Sequence, residues 1–354
     1  MRFSGSMRAA LFRRHGGPEV MEIGEVPVPT PGPGQAQVRV RAAALNHIDL
    51  WLRRGLPALQ VPLPHVSGGD VCGEVSALGA GVKAMAGTNE GDRVVLNPGI
   101  SCGRCPACLA GRDNFCPDYQ MLGEQTWGGL AEYVVVPAAN LVPAPRGRIA
   151  LEDIQLASIP IAFITAWQML VDRARIRQGE TVLVLAAGSG VGTASIQIAK
   201  LYGARVIATA STDEKLAAAR ALGADETINH SASDIVAEVK RLTGRRGADI
   251  VVDHVGAATF GKSVVACARG GRIVVCGATS GFEPVLNLRH VFWRQLSILG
   301  STLASKARLP EVLELFAAGR LKPVVDQVQP LEAIAEAHRR LESRASFGKL
   351  VLTV

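Results

Sequence analysis

The chain has 354 residues, 48% of them apolar and 19% charged, which is too long for one ordinary domain, suits two, and excludes a disordered chain. Its formal charge of +7 comes from basic residues interleaved with acids rather than gathered into a stripe, so a nucleic-acid partner is not expected. No run of about 18 apolar residues occurs and the N-terminus lacks the order of a secretory signal, so the expectation is a cytoplasmic protein with no membrane span.

In chain order, residues 1–6 (MRFSGS) precede a second methionine, Met7, where a strand-like pattern begins. They read as an alternative start or an added leader and are set aside from the fold. The first strong motif is SCGRCPACLAGRDNFC, which places Cys102, Cys105, Cys108 and Cys116 in a C-x2-C-x2-C-x7-C arrangement. Two-residue gaps let a turning backbone aim successive thiolates at one ion, and four sulfurs at about 2.3 Å complete a zinc tetrahedron. Such a tetrahedron has no open position, so the zinc would hold a loop rather than do chemistry. An iron–sulfur cluster and plain reduced thiols are the alternatives, since Cys116 is followed by Pro117 as in some cluster motifs. Cys72, Cys267 and Cys276 lie in apolar segments and read as small core residues.

From Thr181 to Ala187 a continuous apolar run, TVLVLAA, has the character of a buried parallel strand. A small-residue turn follows, Gly188, Ser189, Gly190, Val191 and Gly192, then a helical segment ending at Gly203 and a second strand, ARVIATA. Strand, glycine turn, helix and strand in about 30 residues is the setting of a dinucleotide fingerprint, although the spacing here is G-x-G-x-G. Glycines at 190 and 192 would let the backbone approach a pyrophosphate at the helix N-terminus. The alternation continues with ADETIN, a helix over 233–242, ADIVVDHVG, a helix over 260–268, GRIVVCGAT and LSILGST. That order predicts an open, doubly wound α/β (Rossmann) sheet of about six parallel strands.

An NAD-specific site places an acid at the end of the second strand; here that position is Ala210. Ser211 could donate a hydrogen bond to a 2′-phosphate and Lys215, one helical turn on, could supply charge, so NADPH is favoured and NADH remains open. Asp213 and Glu214 are discordant unless they begin the next helix, where acids suit the dipole.

A cysteine lobe near 100 and a nucleotide fold near 190 make the chain resemble the medium-chain dehydrogenase/reductase superfamily, which includes zinc alcohol dehydrogenases and quinone reductases. AALNHIDLWLRRG, PHVSGGDVCGEVSALG, GDRVV, GGLAEYVVVP and FGKLVL carry the resemblance from Met7 to Val354. It implies a mostly β, GroES-like catalytic domain over 1–162 with its zinc lobe at about 100–120, the dinucleotide domain over 163–300, and a return to the first domain over 301–354. The places that hold a catalytic zinc in the alcohol dehydrogenases are occupied by Asn46, Gly69 and Ile161, and glycine and isoleucine cannot ligate zinc. Without an open-site metal no Lewis acid lowers an alcohol's pKa. The resemblance therefore leans to the quinone and enone reductases.

In that reading Thr165 matches the family's nicotinamide contact, and Asn46 could donate to a carbonyl oxygen or simply bond its own turn. His47 matches a basic residue near the pyrophosphate, with phosphate contact, proton relay and a solvated loop all open. Asp49 could orient His47 or form an ion pair. His230 falls where relatives carry an aromatic residue near the 2′-phosphate. Were a metal to bind beside the nicotinamide, His65, Asp70 and His47 would be its improvised ligands. Trp127, Phe163 and Trp167 could line a substrate pocket or belong to the core. A small carbonyl or quinone substrate is implied, with a homodimer or homotetramer built through the edge strand near Arg272–Ala278 and Leu296–Thr302. The rivals are a true zinc alcohol dehydrogenase and a non-catalytic NADPH- or RNA-binding protein on the same fold.

Overall fold

The structure is a computed structural model that describes residues 5–56, 59–82 and 88–354; residues 1–4 of the six set aside lie outside the described residues. The chain divides into two compact units, residues 1–161 with 305–354, and residues 162–304. No helix among the described residues is long and apolar enough to cross a membrane.

The first unit opens with β1 (Ser6–Leu11) paired antiparallel to β2 (Glu22–Pro27), so the strand begins one residue before Met7. Its centre is β3 (Gln35–Ala44), whose Ala36, Val38, Val40 and Ala42 to Ala44 are buried. After β3 the chain turns at Leu45 and Asn46 into helix α1 (His47–Arg54). β4 (Asp70–Leu78) then runs antiparallel to β3 with Ala44 opposite Asp70. β5 (Arg93–Leu96), β6 (Tyr133–Pro137) and β7 (Leu141–Pro143) extend the sheet, β6 on β3 and β5 between β4 and β7.

The second unit begins within helix α2 (Pro160–Trp167) and carries the expected alternation: β8 (Thr181–Val184), α3 (Gly190–Leu201), β9 (Arg205–Ala210), α4 (Asp213–Ala221), β10 (Glu226–Asn229), α5 (Ile235–Leu242), β11 (Ala248–Asp253), α6 (Phe260–Ala266), β12 (Cys267–Val275), α7 (Leu288–Arg294) and β13 (Ser297–Gly300). The six strands are all parallel in the order β10-β9-β8-β11-β12-β13. The chain order reverses between β8 and β11, the switch point at whose carboxyl side ligands bind in such sheets. Val182, Leu183 and Val184 are wholly buried, and truncating such a side chain, Leu183→Ala for example, costs about 2–5 kcal/mol.

Boundaries shift for local reasons. β8 stops at Val184, three residues short of the apolar run, because Ala186 takes a positive φ of 48° to start the turn. α5 starts at Ile235 because Asp234 accepts the Ala237 N–H as its N-cap. α6 ends at Ala266, two residues early, where the extended Cys267 enters β12.

The return segment completes the first sheet. β14 (Val325–Pro330) lies parallel to β15 (Lys349–Thr353), and β15 pairs antiparallel with β3, Val351 opposite Ala44. Between them helix α8 (Ile334–Glu342) buries Ile334, Ala337 and His338.

Candidate active site

In the first unit the register brings three strand ends together. Asp70 starts β4 opposite the last residue of β3, Asn46 follows β3 by two residues, and Lys349 starts β15 beside it. The Lys349 ammonium, 5% exposed, donates to Leu45 O at 2.6 Å, Asn46 Oδ1 at 2.5 Å and Asp70 Oδ2 at 2.8 Å. All three of its protons have acceptors. The buried Asp70 also accepts from Asn46 Nδ2 at 2.9 Å and from the Ile161 N–H at 2.7 Å. These partners fix the amide's orientation, because an ammonium can only donate and a carboxylate only accept. One Nδ2 hydrogen is held by Asp70; the other has only Ala44 O at 3.5 Å, too long to compete with a good acceptor.

Both carboxyl oxygens of Asp49 are used on the backbone. They accept the backbone N–H of Asn46 at 2.7 Å and of Gly68 at 3.0 Å, pinning the start of α1 to the loop before β4. Burial pushes its carboxyl up to about 6 against those two N–H groups and the charge of Lys349. His47, half-buried, meets the Trp51 ring edge-on at 5.3 Å.

The expected metal-ligand positions are closed. A side chain at Gly69 would meet Leu122 O at 2.8 Å and Ile161 Cδ1 at 2.9 Å, so an imidazole has no room there. The improvised set does not assemble: Asp70's oxygens are taken, and His65 is a core residue whose Nε2 meets Gly123 O at 3.1 Å and whose ring lies 5.5 Å from that of Phe12. Burial lowers the pKa of His65, so Nε2–H donates from a neutral ring.

The four thiols expected to hold zinc do converge. Their sulfurs lie within 4.8 Å of one another, with Cys105 to Cys108 at 3.5 Å and Cys102 to Cys108 at 4.0 Å. A zinc tetrahedron with bonds of about 2.3 Å separates its sulfurs by about 3.8 Å, so the donor set fits that ion. Lys306, unforeseen, ties the return segment to this lobe. Its N–H donates to Asp113 Oδ1 and its ammonium to Ser101 Oγ, both at 3.0 Å, beside the charge that four thiolates would carry.

In the second unit Ser189 caps α3, its Oγ accepting the Gly192 N–H at 2.9 Å. The first turn of a helix has N–H groups without intrahelical acceptors, and at the start of α3 those of Gly190 and Val191 are the ones an anion would meet. Gly192 must be glycine: a Cβ there would lie 2.9 Å from the Ala187 Cα. Gly188 is buried in the turn. A residue the sequence reading missed, His254, follows β11 and contacts Ser189 Oγ through Nε2 at 2.8 Å. Burial keeps it neutral, against the pull of Asp253. The switch-point rule was the signal that would have found it. Thr165 is buried on α2, as are Phe163 and Trp167, which makes those aromatic rings core; Trp127 likewise packs on the first unit's core.

At the end of β9, Asp213 does start α4, and Asn229 Nδ2 donates to it at 3.1 Å. Ser211 is exposed, and its carbonyl accepts from Ser231 Oγ. Burial, then the charges of Lys262 and Lys215, lower the pKa of His230. Lys262 on α6 was not anticipated.

Comparison with known proteins agrees with both units. The alcohol dehydrogenase GroES-like domain family matches residues 32–146 and the zinc-binding dehydrogenase family residues 190–318. The human quinone oxidoreductase is 31% identical over 98% of this chain and 97% of its own length. A crystal structure described as an NAD-dependent alcohol dehydrogenase is 57% identical with a TM-score of 0.92, covering 98% of this chain and 100% of that one. A crotonyl-CoA carboxylase/reductase, AntE, in complex with NADP is 25% identical with a TM-score of 0.90, over 99% of this chain and 95% of that one.

Proposed function

The chain belongs to the medium-chain dehydrogenase/reductase superfamily as an NAD(P)-dependent oxidoreductase, and we propose that within it this protein is an NADPH-dependent reductase of α,β-unsaturated carbonyls or quinones that works without catalytic zinc. The observation that carries this reading is the closed site in the first unit. Where a reactive zinc needs ligands, there is an amide locked by Lys349 and Asp70, a glycine with no room for a side chain, and a hydrocarbon.

When bound, NADPH would supply a hydride to the β-carbon of an enone, the displaced electron pair going to the carbonyl oxygen. Asn46 donates its second Nδ2 hydrogen to that oxygen, stabilising charge as it forms. The α-carbon then takes a proton from water, with His47 as the relay. Thr165 would contact the nicotinamide, the turn from Gly188 to Gly192 would cradle the pyrophosphate, and Ser211, Lys215 and His230, joined by Lys262, would receive the 2′-phosphate. A zinc on Cys102, Cys105, Cys108 and Cys116 would hold the lobe, and a reducing cytoplasm would suit such thiolates.

The reading includes a homodimer or homotetramer. Phe282, Val285, Leu288, Phe292, Trp293 and Ile298 are exposed around β13, which ends the six-stranded sheet, and a second copy of the same edge would cover them. Zinc-dependent alcohol oxidation with NAD is a second reading, favoured by the description of the 57% identical structure. Steady-state rates over enones, quinones, aldehydes and alcohols, each with NADPH and NADH, separate the two. Enone or quinone reduction with NADPH is expected; alcohol oxidation with NAD as the dominant activity overturns it.

A further inference from the structure

At the amino ends of β11 and β12, the opposite end of the parallel sheet from Ser189 and His254, lies a recess of about 370 Å³. It is lined by Lys240, Arg245, Arg246, Arg269, His290 and Arg294. Five permanent cations face one hollow, yet among the described residues only Arg246 forms an ion pair, with Asp249 at 3.0 Å. Arg269 donates to the Trp293 carbonyl. Lys240 and Arg245 have no acidic partner among the described residues. Like charges gathered in this way raise one another's energy until an anion joins them.

Two details prepare the hollow for such an anion. The carbonyls at the end of α6 would oppose negative charge, but Arg294 covers them, donating to those of Val264, Val265 and Cys267. The loop after α5 carries Arg245 at a positive φ of 70°, between Gly244 at 57° and Gly247 at 91°, and its N–H bonds back to Lys240 O at 2.7 Å. That bond fixes the loop and sets Arg245 on the rim beside Lys240.

We propose that this recess is a second anion site, distinct from the nucleotide turn, that takes a small phosphate-bearing molecule. Guanidinium forks match phosphate oxygens two at a time. The volume is that of a small-molecule pocket rather than of a bare ion.

Calorimetric titration of the full chain with inorganic pyrophosphate, at fixed ionic strength and with saturating NADP present, tests the site. The wild type binds, and the Arg245→Ala/Arg269→Ala double variant binds at least about tenfold more weakly. Lys240→Ala, a milder change, weakens binding severalfold. Without pyrophosphate the double variant melts near the wild type, since the repulsion it relieves offsets the one hydrogen bond, from Arg269 to Trp293 O, that it loses. Absence of wild-type binding, or the same isotherm for wild type and variants, overturns the site. Pyrophosphate captured at the nucleotide turn gives that second result.

Discussion

Lys349 Nζ lies 2.8 Å from Asp70 Oδ2, and the two residues, 279 positions apart in the chain, are 5% and 0% exposed. A buried ion pair gives little net stability but is costly to break from one side. Lys349→Met leaves the Asp70 charge without its cation and should cost about 3–5 kcal/mol by denaturant titration. An unchanged midpoint would show that Asp70 is not held as a buried anion.

In the proposed reaction Asn46 is the donor, held in place by that pair. Asn46→Ala should lower kcat about 100- to 1,000-fold on the best enone or quinone, with the KM for NADPH little changed. A purely structural Asn46 would instead lower the melting temperature and leave the kcat of the folded fraction intact.

In the proposed reading, cofactor choice rests on cations around the end of β9. Lys215→Ala and Lys262→Ala should each weaken NADPH binding by about tenfold, about 1.4 kcal/mol, and leave NADH binding nearly unchanged. Equal losses for both cofactors would place the two lysines away from the 2′-phosphate.

His338 makes stability depend on acid. Arg53 Nη1 lies 3.1 Å from its Nδ1; the guanidinium can only donate, so the ring accepts and stays neutral. Burial, then the Arg53 charge, push its pKa down to about 3. In the unfolded chain it titrates near 6.5, so this contribution is complete above about pH 6.5 and is lost as pH falls from there toward 3. At pH 5 the loss is about 2 kcal/mol. His338→Gln should remove that much of the difference between unfolding free energies at pH 7.5 and pH 5; a wild-type slope in the variant would point to other groups.

What the sequence made legible follows from where each signal lies. The turn from Gly188 to Gly192 and the cysteines from 102 to 116 are local: the residues that act together are neighbours in the chain, and their spacing is the evidence. Strand periodicity gave the six parallel strands for the same reason. Lys349, Lys306, His254 and Lys262 were not singled out, because each acts on a partner brought close only by strand pairing or by the order of strands in the sheet. Asp49 was noticed for its residue type, but its partners are backbone N–H groups, which no residue pattern announces. The absent zinc ligands are readable as residue types, whereas the lack of space at Gly69 arises only when Leu122 and Ile161 fold against it.

Zinc content is the most direct measurement of whether the site works without a reactive metal. Elemental analysis of the purified full chain should give about one zinc per chain, and the Cys105→Ser variant close to none, as expected for a single four-thiolate site. Two zincs per chain, with one surviving in Cys105→Ser and lost together with activity on chelation, would contradict it.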